Sequence, residues 1–563
     1  MTFAVPRSQA TEAPAFWPRD GKPAEGLRDL FAPLDDLLVC GGDPRLERDP
    51  ARGLNAQGLN AYGCGPSPSP DLVGFASSTA SPISERAYQR ACVARRELMR
   101  ASIAVGFEEA LDTRIEEMRE ALRGCLRLAA ADVDIVFSPS GTDSQLHALF
   151  LARALLGPRL TTIVVGSDQT GSGTAYTARG HHFSARAASG QPVRKDDPIV
   201  GLSGDSVALP LRGGTMDIKI RADVDDAVVE AVAMAVADGA SVLLQIMDSS
   251  KLGWRAPSDA CLRDIERRWP GQVRIMVDAC QMRLGRRRMR AYLDRGYLVL
   301  ITGSKYFGGP AFSGALLVPT GLSQSLARSE TVAPGLLDYA SRSDWPKGWT
   351  GLRSRFESRQ NLGQWLRWEA ALEDIGAYYQ IPDAFRAWAV KELSAGLESL
   401  IAWSPSLTLV RSGLVGSGLV GSGTSMSGAE DEEFSDATIL PFAIDSGRGR
   451  LSATDGRLLY GALRQDLGEA IAGSEADREI ASCRCLVGQP VALERCGGEE
   501  PIAVLRLCVG ARNVTDMWSA DAAVAQQNLR RELDRAASVV AKIELLLGHA
   551  GRVEFTGHPD GQR

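Results

Sequence analysis

The chain has 563 residues, more than one hydrophobic core usually organises, so a large domain with a smaller companion is the expected plan. Sixty-three basic residues against 69 acidic ones give a net charge of −6 with no uniformly positive region, which argues against nucleic acid as the main partner. No window supplies about 18 uninterrupted apolar residues, and residues 1–20 lack a basic start followed by an apolar core, so a cytoplasmic protein with no membrane partner is expected.

Residues 1–83 are rich in Pro, Gly and Ser, as in "GCGPSPSP", and read as an N-terminal arm that completes the small domain and the site. From Ser84 the apolar positions fall at helical spacing for several turns, with an interruption around Gly106. The pattern then changes to "DIVFSPSGTDSQLHALFLARALLG", a short apolar run, a polar turn and a helix. "TTIVVG", "SVLLQIM", "VRIMVDA", "YLVLITG" and "GALLVP" follow as short, nearly continuous apolar runs, the signature of strands covered on both faces. Helical stretches such as "DDAVVEAVAMAVADG" and "SDACLRDIERRW" separate several of them. This alternation predicts an α/β domain over 84–340, three-layered around a mainly parallel sheet.

Residues 341–563 read as a smaller α+β domain: helices over 356–400 broken near Pro382, two or three strands that include "ATILPFAI" and "PIAVLRLCVGAR", and a closing helix. The tandem "GLVGSG" within 412–435 reads as a flexible loop. The ten cysteines form no dense framework, and "CRC" at 483–485 is too tight for a CxxC pair, so structural thiols are expected. Five histidines, with His181 and His182 adjacent rather than a helical turn apart, argue against a histidine-based metal site.

Three loops carry chemistry. In "SPSGTDSQ" Gly141 permits close backbone approach at a helix start, where amides without intrahelical partners favour an anion; Ser140 or Thr142 capping the helix is the plainer alternative. Asp278 lies where "VRIMVDA" leaves the sheet, and it could equally cap the next segment. Lys305 follows the next strand in "TGSKYFGGP", where a solvent-facing lysine in a glycine-rich turn would look the same. Together they match one ligand: a pyridine ring needs a carboxylate at its nitrogen, its aldehyde needs a lysine, and its phosphate needs amides and hydroxyls.

With these motifs the segment 130–320 resembles the fold-type I pyridoxal-phosphate enzymes, and more narrowly the class-V-like aminotransferase and cysteine-desulfurase group. The resemblance implies pyridoxal 5′-phosphate as cofactor, with Gly141 and Thr142 holding the phosphate. In "DACQ" it pairs Asp278 with the pyridine nitrogen and sets Gln281 near the phenolic oxygen. In "TGSK" it makes Lys305 the Schiff-base lysine, with Thr302 and Ser304 toward the phosphate. Where the desulfurase-like members stack a histidine over the ring, this chain offers Gln169 or Thr170, and "IMDSSKLGW" offers Ser249 or Ser250 where they have an asparagine. For the substrate carboxylate, "VLRLCVGAR" makes Arg506 the first choice and Arg512 the second, with Asn60 and Tyr62 of the arm folding across. Cys280, two residues past Asp278, is expected by strand alternation to point away from it.

The implied activity is that of an enzyme acting through an external aldimine on an amino acid or amine, foremost an aminotransferase with a keto-acid co-substrate. Elimination of a side-chain substituent by a lyase or desulfurase is the alternative, and a non-catalytic binding module on the same fold is the other. The resemblance also implies a homodimer.

Overall fold

The computed structural model describes residues 29–41, 65–77, 80–212, 221–329, 331–410, 434–447, 449–494 and 499–549. Asn60, Tyr62 and residues 412–433 of the expected loop lie outside the described residues. Among the described residues the strands, in chain order, are β1 (Val73–Phe75), β2 (Val133–Ser138), β3 (Leu160–Val165), β4 (Asp205–Leu209), β5 (Ser241–Met247) and β6 (Val273–Asp278). They continue with β7 (Leu298–Thr302), β8 (Gly314–Pro319), β9 (Leu407–Leu409), β10 (Ile439–Ile444), β11 (Cys485–Leu493) and β12 (Ile502–Cys508).

The large sheet runs β2-β8-β7-β6-β5-β3-β4. Its β4, β3, β5, β6 and β7 are mutually parallel, while β8 is antiparallel to both β7 and β2. The parallel strands follow from the helices between them, among them Arg221–Ala237, Asp259–Arg268 and Arg286–Asp294. The reversal at β8 has a local cause: residues 303–313 have no room for the crossover helix that a parallel neighbour needs. That short connection is the loop that carries Lys305. Every residue of β3, β7 and β8 is buried, which is why these runs read as continuously apolar. The edge strand β4 is half-exposed and polar at one end, and it has no such signature.

The smaller sheet, β1-β11-β12-β10-β9, has five strands where the sequence suggested two or three. The main omission was β11, whose "CLVGQPVAL" is interrupted by Gly488 and Pro490; the pairing with β12 shifts register between Gly488 and Val491. β1 pairs in parallel with β11, so residues from before the first long helix lie in this sheet. The fold is thus a three-layer α/β domain joined to a smaller α+β region, as the resemblance implies.

Gly106, at φ +88°, ends the helix Glu85–Val105 and starts Phe107–Leu126, the interruption visible in the sequence. Ala87, Ala91, Ala94 and Leu98 form the buried face of the first of these, and small side chains there let it pack closely on the helix Leu362–Gln380. That last helix holds Arg367, fully buried, which donates to the carbonyls of Phe312, Leu38, Cys40 and Gly41 at 2.6–3.2 Å. One side chain therefore ties the 34–41 segment to the connection after Lys305. Arg367→Met leaves these buried acceptors unsatisfied, and chemical denaturation of this variant should show a loss of about 3 kcal/mol or more.

Candidate active site

The site is built at the carboxyl ends of β5, β6 and β7. Strand pairing sets Asp278 beside Met247 of β5 and Leu300 of β7, so the three following turns rise from one edge of the sheet. Gly141 begins the helix Gly141–Leu156 against this edge. A Cβ on Gly141 would lie 2.9 Å from Cys280 Sγ and 3.2 Å from Thr302 Cγ2, so only a bare α-carbon lets the helix start come this close. The loops after β2, β6 and β7 are thereby brought into contact. Thr302 fastens two of them, its hydroxyl donating to the Cys280 carbonyl at 2.8 Å.

At the helix start the cap is Ser140, whose hydroxyl accepts from the Asp143 amide at 3.2 Å. Thr142 is left without a hydrogen bond among the described residues; it abuts Gly173, where a Cβ would fall 2.5 Å from its methyl group. Ser138 and Ser144 share a short hydroxyl contact beneath the loop, and a Cβ on Gly314 would strike the Ser140 carbonyl at 2.3 Å. The turn is held from below, leaving its first amides and the Thr142 hydroxyl available.

Asp278 and Lys305 lie in mutual electrostatic reach. Burial pushes the Asp278 carboxyl above its ordinary range, against the lowering effect of a hydrogen bond from Cys280 and the charge of Lys305. Burial likewise pulls the Lys305 amine down; nearby Arg506 adds to this, while Cys280 and Asp278 oppose it. Desolvation outweighs their attraction, so both groups are driven toward neutrality.

Cys280 corrects an expectation. Residues two apart on an extended chain share a face, so alternation itself keeps Cys280 on the side of Asp278, and Ala279 N still donates to Leu300 O of β7 at 2.9 Å. The Cys280 amide donates to Asp278 Oδ1 at 3.1 Å, and its thiol faces the same carboxylate.

The other predicted residues divide into two groups. Gln169 and Gln281 are buried, and each presents a side-chain oxygen that has no hydrogen-bond partner. Ser304 is buried beside Lys305. By contrast, the Thr170 hydroxyl donates to Ser167 O at 3.1 Å. The Ser250 hydroxyl accepts from the amides of Leu252 and Trp254 at 3.1 and 2.9 Å, shaping the turn after β5. Arg506 donates to the carbonyls of Lys251 and Gln489 at 2.9 and 2.7 Å. Arg512 donates to Pro82 O and Gly308 O at 3.1 and 3.0 Å and so braces the loop after Lys305.

Sequence reasoning passed over Lys251. Burial, then Arg506 and Lys305, lower its amine to about 8. It also passed over the ion pair of Asp168 with Arg212 at 3.0 Å, which flanks Gln169. The only sequence signal for Lys251 is its place, one residue past Ser250 in a turn at the carboxyl end of a central strand.

No protein-family profile matches the chain, and no curated protein matches it. Among solved structures it is similar to the crystal structure of Oryza sativa TDC with PLP and tryptamine, at 15% identity over 84% of each chain with a TM-score of 0.46. It is also similar to a NifS-like protein, at 13% identity over 82% of this chain and 98% of that one, with a TM-score of 0.43.

Proposed function

We propose that the protein is a pyridoxal 5′-phosphate-dependent enzyme acting on the amino group of an amino acid or amine. One observation carries the reading: a desolvated carboxylate and a desolvated lysine, in electrostatic reach of each other, stand beside an anion-ready helix start that packs against both of their loops. The residues fit the group. Asp278 lacks a full counter-charge and would receive one from a protonated ring nitrogen. The buried oxygens of Gln169 and Gln281 need donors, and the amides of Gly141 and Thr142 need an anion.

Bound here, pyridoxal phosphate supplies an electron-poor ring that draws electron density from a substrate's α-carbon. Asp278 holds the proton on the ring nitrogen. Gly141, Thr142 and Ser304 hold the phosphate. Lys305, its basicity lowered by burial, is a free amine at a pH closer to neutrality than an exposed lysine would be, which suits it to hold an aldehyde and to take a proton at Nζ. Burial of the site excludes the water that would otherwise compete for that proton.

The same groups serve amino-group transfer to a keto acid and elimination of a side-chain substituent, and the products separate these two readings. The purified full chain, titrated with pyridoxal phosphate and followed by absorbance, should develop a visible band. Single amino acids are then added. Release of a keto acid with conversion to the pyridoxamine form marks a transferase; ammonia, pyruvate or sulfide without that conversion marks a lyase. A protein that stays colourless under saturating cofactor would count as a binding module instead. A homodimer is carried over into this proposal from the resemblance, and a cytoplasmic location from the sequence.

A further inference from the structure

We infer that Lys251, in the turn after β5, is the cation that receives the substrate's carboxylate, and that Arg506 positions it. The inference rests on the pyridoxal-phosphate reading and deepens it. The turn is closely tied: Met247 and Ala256 exchange two backbone hydrogen bonds at its base, Ser250 N donates to Trp254 O at 2.8 Å, and the Ser250 hydroxyl accepts two more amides. Gly253, at φ +83°, closes it. Lys251 is therefore presented from a fixed backbone.

Arg506 was the first choice for this task, but its donors are partly committed. One Nη donates to Lys251 O and the other to Gln489 O, and Nε lies over Gly488, where a Cβ would come within 2.7 Å of it. The guanidinium thus clamps the Lys251 turn onto the small sheet.

Lys251 Nζ, by contrast, makes no hydrogen bond or ion pair among the described residues. The charged groups that reach it are Arg506, Lys305 and Asp168. Asp168 is already engaged by Arg212 at 3.0 Å and by the Leu211 amide at 2.9 Å. Two cations and one occupied carboxylate leave a desolvated ammonium in need of an anion. An amino acid brings one to the right place: its carboxylate is one carbon away from the nitrogen that takes over the position of Lys305 Nζ. A compact ammonium holds such a carboxylate as a point charge rather than by a fork. The lowered basicity of Lys251 agrees, since an arriving carboxylate would secure its proton and would be held less well above about pH 8.

The test uses the full chain without cofactor, formate as the probe anion, and the rate at which a small amine-reactive reagent modifies Lys305, read at its own peptide by mass spectrometry. Formate at Lys251 offsets the neighbouring positive charge and raises the Lys305 midpoint, so at neutral pH it should slow modification about threefold or more. In Lys251→Met formate should leave the Lys305 modification rate unchanged. Arg506→Lys should retain the formate effect at higher concentration. If the methionine variant does not fold, Lys251→Gln is read in the same way. A formate effect that persists undiminished without Lys251, or that vanishes only in Arg506→Lys, overturns the inference. Because these measurements use no cofactor, failure to bind pyridoxal phosphate would defeat the functional proposal separately.

Discussion

Lys305→Ala mixed with pyridoxal phosphate should develop no visible band, and turnover of whichever amino acid the wild type accepts should fall by roughly 10²–10⁴-fold or more. The reason is chemical rather than structural. Lys305 Nζ takes part in no hydrogen bond among the described residues, so truncating it removes a nucleophile and a base without stripping a partner from the fold. Thermal stability of the cofactor-free variant should be equal to or above that of the wild type, because a desolvated amine beside Arg506 has been removed. Lys251 makes the test sharper. Two lysines share this site, so the wild-type complex should be reduced with borohydride and mapped. Label on Lys305 supports the assignment, and label on Lys251 would transfer the aldehyde-bearing role to it.

Asp278→Asn should separate stability from activity. With pyridoxal phosphate bound, loss of the carboxylate leaves the ring nitrogen without its counter-charge. Breaking a buried pair of this kind costs about 3–5 kcal/mol, roughly 10²–10⁴-fold in rate. Without cofactor the sign reverses. The folded-state pKa of Asp278 is raised by burial, so the carboxyl is compatible with the fold while protonated, and stability is lost as pH rises from the ordinary value of 3.8 through the raised one. The cofactor-free asparagine variant should therefore melt higher than the wild type at neutral pH, and the two should converge below pH 3.8. The Cys280 amide keeps an acceptor in the variant, so the turn itself is preserved. A variant less stable at neutral pH and fully active would show that Asp278 is a structural residue.

Much of this site could be read from the chain because its parts are local. β5 and β8 coincide with the apolar runs "SVLLQIM" and "GALLVP", since strands buried on both faces leave continuous hydrophobic segments. The placing of Gly141, Asp278 and Lys305 follows from the rule that ligands settle at the carboxyl ends of parallel strands. What escaped notice depends on long-range packing. β11 is broken by glycine and proline, and β9 is three residues long. Cys280 is a different case: two residues past Asp278, it shares that residue's face by simple alternation, and the expectation that it points away misapplied the period of two. Lys251 looks like any turn lysine until Arg506, 255 residues away, is seen to clamp its carbonyl.

Arg283, buried in the segment after β6, donates to Thr438 O and Val509 O, which flank β10 and β12. With Arg506 it forms two guanidinium stitches across the boundary between the large and small sheets. A clamshell opening would tear charged donors from their acceptors, at about 1.5–3 kcal/mol for each bond. Entry of substrate should then depend on movements of surface segments while the two halves stay seamed. Amide exchange would reveal this as lasting protection at Val509 and Trp254, whose N–H groups donate to Thr438 O and Ser250 Oγ beside the two stitches, under conditions in which the outer loops exchange freely.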